Sequence, residues 1–184
     1  MKTALILNIV IIVLECIGLS ISVSSRKWGI FIFYTQISNL ITLISSVLFV
    51  TLGQIPFVAV MRYLSCSMLT LTFLVTALYL VPIGGGKGLL ISGNGLYHHT
   101  LCPVISAVSY LLFEETVSDF RMILLPLAIT FIYGVIMLVM NAKGKVEGPY
   151  PFFEVHRMPA MKIFMWMAGL LIVTAGIGYI YIIL

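Results

Sequence analysis

The chain has 184 residues, of which 61% are hydrophobic and only 9% charged, and its formal net charge is +4. Soluble domains average about 25% charged residues, so this composition excludes an ordinary water-soluble fold, and a mean hydropathy of +1.19 points to a bilayer. The basic residues are dispersed along the chain rather than gathered on one face with interleaved aromatics, which excludes a nucleic-acid partner.

Six apolar stretches approach the roughly 20 residues that cross a bilayer: residues 3–23, 29–52, 57–81, 89–113, 121–140 and 160–184. Backbone in lipid must satisfy its own hydrogen bonds, and the alternation of a membrane barrel is absent, so the spans are predicted to be helices. The expected fold is all-α, an integral membrane bundle of six transmembrane helices in one domain covering residues 1–184. The first stretch starts like a secretory signal but runs past the usual ~7–15 apolar residues and lacks a small-x-small cleavage site. It also contains Glu15, and it reads as a retained helix.

The second stretch carries a polar stripe. Thr35, Ser38, Asn39, Thr42 and Ser46 fall at i, i+3, i+4, i+7 and i+11, one helical face turned into the bundle. Such residues also glue membrane helices together for under ~2 kcal/mol each, and both readings of the stripe stand. After the third stretch, Pro82-Ile83-Gly84-Gly85-Gly86-Lys87-Gly88 lacks the ending and the strand context of a phosphate loop and reads as a flexible turn. The fourth stretch holds His98 and His99, which point ~100° apart on a helix. His99 continues into Pro103, Ser106 and Tyr110, a polar-lined face, whereas His98 leads to Cys102, Ile105 and Ser109; His99 is preferred and His98 is the alternative. Between the fifth and sixth stretches, Gly148-Pro149-Tyr150-Pro151-Phe152-Phe153-Glu154 is a stiff aromatic segment. It suits either a lid that contacts substrate through Tyr150, Pro151 and Phe152 or an interfacial anchor. His156, beside Arg157, reads as interfacial. Cys16, Cys66 and Cys102 lack ligand spacing and read as small buried apolar groups, with no metal or other cofactor implied.

With six spans, alternate connections share a side. Arg26, Lys27, Lys87, Lys143, Lys145, Arg157 and Lys162 fall on one side, and Lys2, Arg62 and Arg121 on the other with Glu114, Glu115 and Asp119. The positive-inside rule places the first side in the cytoplasm and both termini outside.

Depth brings three polar groups together. At ~1.5 Å per residue, Thr35 lies roughly 10 Å inside the basic face when counted from Trp28, His99 roughly 10–15 Å and Glu15 about 12 Å. The other half of the membrane is expected to be nearly free of ionisable groups. A hydroxyl, an imidazole and a carboxylate are the parts of nucleophilic catalysis: Thr35 attacks, His99 (or His98) takes its proton, and Glu15 holds the imidazole. Asn39 is the candidate donor to a developing oxyanion, with Ser38 a further orienting candidate. Glu15 also suits a protonated or purely structural pairing.

At these residues the chain resembles the androgen-induced-gene family of six-helix membrane threonine hydrolases, including bacterial relatives of about this size. The matching runs are Phe33-Tyr34-Thr35-Gln36-Ile37-Ser38-Asn39, His99-Thr100-Leu101-Cys102-Pro103 and Tyr150-Pro151-Phe152-Phe153-Glu154. The resemblance implies a hydrolase of lipid esters, similar to the enzymes that cleave fatty acid esters of hydroxy fatty acids, with Thr35 as nucleophile and His99 as its partner. It implies a membrane lipid as substrate and a bacterial plasma membrane as the location. The competing expectations are a lipid-binding or structural membrane protein without chemistry, and a proton-coupled transporter using Glu15 and His99. No internal repeat marks the latter.

Overall fold

Six helices are long and apolar enough to span a membrane, and together they take up most of the chain. The computed structural model describes residues 2–147 and 149–184, with residues 26, 28 and 85 as backbone alone. Gly148 and the side chain of Trp28, used above as a depth marker, lie outside the described residues. The elements are α1 (Lys2–Arg26), α2 (Tyr34–Leu52), α3 (Pro56–Val75), the short turns α4 (Gly88–Ile91) and α5 (Gly93–Leu96), α6 (Cys102–Phe113), α7 (Leu124–Ala142) and α8 (Ala160–Ile183). Among the described residues there is no strand.

Local sequence fixes where these helices begin and end. Gly53, at φ 73°, closes α2, and Pro56 opens α3 with no N–H to waste, so the two helices form a tight antiparallel hairpin. Helix α3 continues into a π-helical segment, Thr76–Gly85, kinked at Gly84, and a second, Tyr97–Leu101, leads into α6. Pro82 lies inside the first, and Pro103 follows the second, where it has no N–H to donate to the His99 carbonyl. Single-turn π segments are often found at functional sites.

Helices α1, α2, α3 and α6 pack on one another, and the α7–α8 pair leans on α3. Helix association in lipid draws on close packing and hydrogen bonds rather than on hydrophobic burial. Both appear here. Tyr63 donates to the Gly178 carbonyl at 3.2 Å, and a Cβ at Gly178 would stand 2.7 Å from that phenol oxygen, so the glycine lets α8 approach α3. All five residues of the α2 stripe are buried. Leu, Ile and Val dominate the outward surface instead, and Cys16 faces outward too, against the expectation that all three cysteines are buried.

Two sequence expectations need correction. Helix α2 starts at Tyr34 rather than at residue 29, because Lys27 adopts a positive φ of 53°, Lys27–Ile32 coils as a tighter 3-10 turn and Phe33 is extended. Thr35 therefore belongs to the first turn of α2. The half of the bundle opposite the basic connections is also not free of ionisable groups. Arg62, fully buried, forms a bidentate pair with Glu114, with Nε–Oε2 at 2.9 Å and Nη2–Oε1 at 3.1 Å. Asn8 and Ser109 donate to the same carboxylate at 2.9 and 2.6 Å, and Ser46 and Ser106 accept from the guanidinium.

Candidate active site

The site grows from the exposed N–H groups at the start of α2. An α-helix leaves its first N–H groups without partners, and here the residue before the helix, Phe33, offers no side-chain cap. Two phenols do so instead. Tyr34 N–H donates to Tyr133 Oη at 3.1 Å, and Thr35 N–H reaches Tyr150 Oη at 3.4 Å. Tyr133 in turn donates to the Ile32 carbonyl at 2.7 Å, and Tyr34 Oη meets Thr130 Oγ1 at 2.9 Å. The hydroxyl of Thr35 faces the same phenol as its own N–H, with Oγ1–Oη at 3.3 Å. The positive end of the α2 dipole adds to this, because it favours negative charge developing within the first turn.

Tyr150 belongs to the aromatic segment before α8. Tyr150, Phe152 and Phe153 are buried and Pro151 is exposed, so the segment folds into the bundle rather than lying flat over it. Phe152 stacks on Tyr150 and on Trp166 of α8, with ring centroids 5.2 and 5.5 Å apart, and Phe153 packs against Tyr133 at 6.1 Å. Burial pushes the Tyr150 phenol up, and its contacts with Thr35 offset only part of that, so at neutral pH it is an O–H donor.

The two histidines part company. His98 is fully buried against α1 and α2, with Nδ1 3.2 Å from Gln36 Nε2 and Nε2 3.6 Å from Glu15 Oε2. His99 is only partly buried and its Nδ1 contacts Thr76 Oγ1 at 3.0 Å, joining the two π-helical segments. The carboxylate expected beside the preferred base thus meets the other imidazole, because α1 packs on the His98 side of the fourth span. Among the described residues neither imidazole hydrogen-bonds to Thr35 Oγ1, whose partner is Tyr150. Asn39 and Ser38 are also placed differently from the expectation. Asn39 Nδ2 donates to the carbonyls of Thr35 and His98, at 2.7 and 3.5 Å, and Ser38 Oγ donates to the Thr35 carbonyl at 2.9 Å. With its amide directed at main-chain carbonyls, Asn39 braces the backbone of Thr35 and has no donor left for an oxyanion.

Thr35 and Tyr150 stand between two cavities of different character. One, of ≈ 270 Å³, has a mixed lining, with Ser22, Ser25, Gln36, Asn94 and His99 set among apolar side chains such as Leu80 and Leu89. The other, a narrow space of ≈ 40 Å³, is walled by Leu71, Val75, Phe152, Phe153 and Leu170. Thr35 and Tyr150 line both.

Residues that sequence reasoning missed are Gln36, Thr76, Thr130 and Tyr133. Gln36 carried a usable signal, a long amide inside an apolar span next to Thr35; Tyr133 and Thr130 looked like ordinary members of an apolar helix.

His98 is held by a close approach. A Cβ at Gly18 would collide with the Nε2 and Cδ2 atoms of the buried His98 ring. Gly18→Ala is therefore expected to displace the imidazole from Glu15 and Gln36 and to cost about 1–3 kcal/mol, measured as unfolding in detergent micelles. An unchanged transition would show that the ring yields freely.

Comparison with family models, with curated proteins and with solved structures finds no match to this chain.

Proposed function

We propose that the protein is an intramembrane hydrolase of lipid esters in a bacterial plasma membrane, its site near the basic, cytoplasmic face, with Thr35 as nucleophile. The observation that carries this reading is the position of the Thr35 hydroxyl. It lies in the first turn of α2, against a phenol O–H, on the wall of a cavity that His99 also lines. The resemblance to the androgen-induced-gene family supports the same nucleophile and the same class of substrate.

Roles follow from the hydrogen bonds. His99 Nδ1 lies 3.0 Å from Thr76 Oγ1; in the tautomer that carries the proton on Nδ1, the Nε2 lone pair is left for the cavity, where it takes the Thr35 proton through water. Tyr150 Oη and the Thr35 N–H are the donors at which the carbonyl oxygen gathers charge. Thr35 Oγ1 bonds to the acyl carbon, the bond to the alkoxy oxygen breaks, and the alcohol leaves with the proton from His99. Water then cleaves the acyl-threonine, returning a proton to Oγ1 and releasing the acid. Glu15, His98 and Gln36 form a buried brace behind the site. A nucleophile within the bilayer is reached most easily by a substrate already dissolved there.

The test is covalent labelling of the full chain in phospholipid vesicles by a fluorophosphonate, followed by intact-mass and peptide mapping. A single adduct on Thr35 is expected, and His99→Gln and Tyr150→Phe should each slow its formation by about 10²-fold. No adduct, with solute flux across the vesicle wall, would establish a transporter instead. No adduct and no flux would leave a lipid-binding or structural protein.

A further inference from the structure

The nucleophile sits in a partition, and the two sides differ. On one side hydroxyls, amides and an imidazole from α1, α2, α5 and the Tyr97–Leu101 segment share the wall with Ile30, Phe33, Leu80 and Leu89, so polar groups are within reach there in a way the other side does not match. On the other, Leu71 and Val75 of α3, Leu170 of α8 and the two phenylalanines of the aromatic segment leave a slot whose polar groups are Thr72, Thr76, Thr130 and the tyrosines at its rim. An ester has the same asymmetry at its carbonyl: a hydrocarbon chain on one side, and on the other an alkoxy oxygen that must meet a proton and then water.

We infer that Thr35 divides the substrate, the acyl chain of the lipid ester lying in the Leu71–Val75–Leu170 slot while the alcohol leaves, and water arrives, through the polar cavity beside His99. The inference rests on the hydrolase reading above and adds to it which part of the substrate lies where and which residues select it. Desolvation dictates the direction. A methylene chain loses nothing by leaving water for a slot of Leu, Val and Phe, whereas the same chain against Ser22, Ser25, Gln36 and Asn94 would strip those polar groups of hydration without replacing it. The reverse arrangement would also leave the departing alkoxide in an apolar slot, away from His99. In the acyl-threonine the new Oγ1–carbonyl bond keeps the chain in the slot, and the deacylating water attacks from the polar side, where its proton is accepted by His99 and passed back to Oγ1. The slot, at ≈ 40 Å³, takes the first carbons after the carbonyl, so its walls select what stands there: bulk at Val75 closes it and loss of bulk at Leu170 opens it.

The experiment uses the full chain in vesicles of phosphatidylethanolamine and phosphatidylglycerol with p-nitrophenyl acetate and butyrate. Readouts are kcat/KM for each ester, the mass of the acyl adduct on Thr35, and cross-linking by the p-nitrophenyl ester of a short diazirine acid, 4,4-azipentanoate. In Val75→Phe the butyrate-to-acetate ratio of kcat/KM is expected to fall about tenfold or more, and in Leu170→Ala to rise by a similar factor. The diazirine should mark Leu71 or Leu170. A ratio unchanged in both variants, with Thr35 acylated normally, overturns the assignment of the slot and leaves the hydrolase reading intact. A wild-type protein never acylated at Thr35 but cross-linked in the slot overturns hydrolysis while supporting the chain seat. Cross-links confined to the polar cavity overturn the division of the substrate.

Discussion

Thr35→Ala is expected to lower ester turnover by about 10³-fold or more, the scale on which hydrolases lose rate when the nucleophile is removed. Thr35→Ser should retain turnover to within about tenfold, or ~1.4 kcal/mol. The two variants separate chemistry from structure because of how little the Thr35 hydroxyl contributes to packing. Its contact with Tyr150 is long at 3.3 Å, and the Thr35 N–H, which the alanine variant keeps, faces the same phenol. Loss of such a bond costs about 0.5–1.5 kcal/mol at most, so the alanine variant should fold and melt close to the parent. Serine keeps the hydroxyl and the N–H but frees χ1, which a β-branched side chain holds in few rotamers; some rate is lost there. Hydrolysis of a long-chain ester in vesicles, together with the melting transition, checks both halves. If Thr35→Ala turns over at the parental rate, the nucleophile is elsewhere and the hydrolase reading fails at its first step.

The membrane spans were legible because their signal is composition over some 20 residues, which no local detail disturbs. The inward face of α2 was legible for a related reason: Thr35, Ser38, Asn39, Thr42 and Ser46 repeat at helical spacing, and all are buried. What could not be read was phase and long-range partnership. Residues 29–33 look like the start of a helix in apolar content, but a positive φ at Lys27, the 3-10 turn it opens and an extended Phe33 delay α2 to Tyr34. That shift puts Thr35 among the first N–H groups of the helix, which need partners from outside it, a place no helical wheel begun at residue 29 gives it. The histidines suffered likewise, since a π-helical segment over Tyr97–Leu101 changes the angle between successive side chains. The face count chose His99, which does line the cavity with Thr35, yet it gave no hint that Glu15 meets His98. Tyr150 lies 115 residues from Thr35 and Tyr133 lies 99 from Tyr34; nothing in the local sequence of either tyrosine announces that it will serve a helix N-terminus.

The same blindness hid the strongest electrostatic feature of the bundle, and the second large effect is expected there. From sequence, the lone Arg62, six residues into an apolar helix, counts only toward the charge of the non-cytoplasmic side. Its side chain is fully buried, however, and its partner Glu114 lies just beyond α6, brought to 2.9 Å by the packing of α3 on α6. Arg62→Ala leaves the Glu114 carboxylate facing Asn8 and Ser109 without its counter-charge, and Glu114→Ala leaves a guanidinium among the hydroxyls of Ser45, Ser46 and Ser106. Breaking a buried pair from one side costs about 3–5 kcal/mol. Each single variant should therefore unfold at much lower denaturant in micelles than the parent. The double variant Arg62→Met, Glu114→Leu removes both charges, and with them the cost of isolating either one, so it should recover most of the loss. Singles that are destabilised while the double is not would identify a pair that specifies how α1, α2, α3 and α6 fit together rather than one that drives their association. A double variant about as unstable as the worse single would instead make the ion pair a net source of stability, and losses that simply add would show the two side chains acting independently. Thr35 sits at the far end of α2 from this cluster, so in variants that fold, turnover measured below the transition should stay near the parental rate.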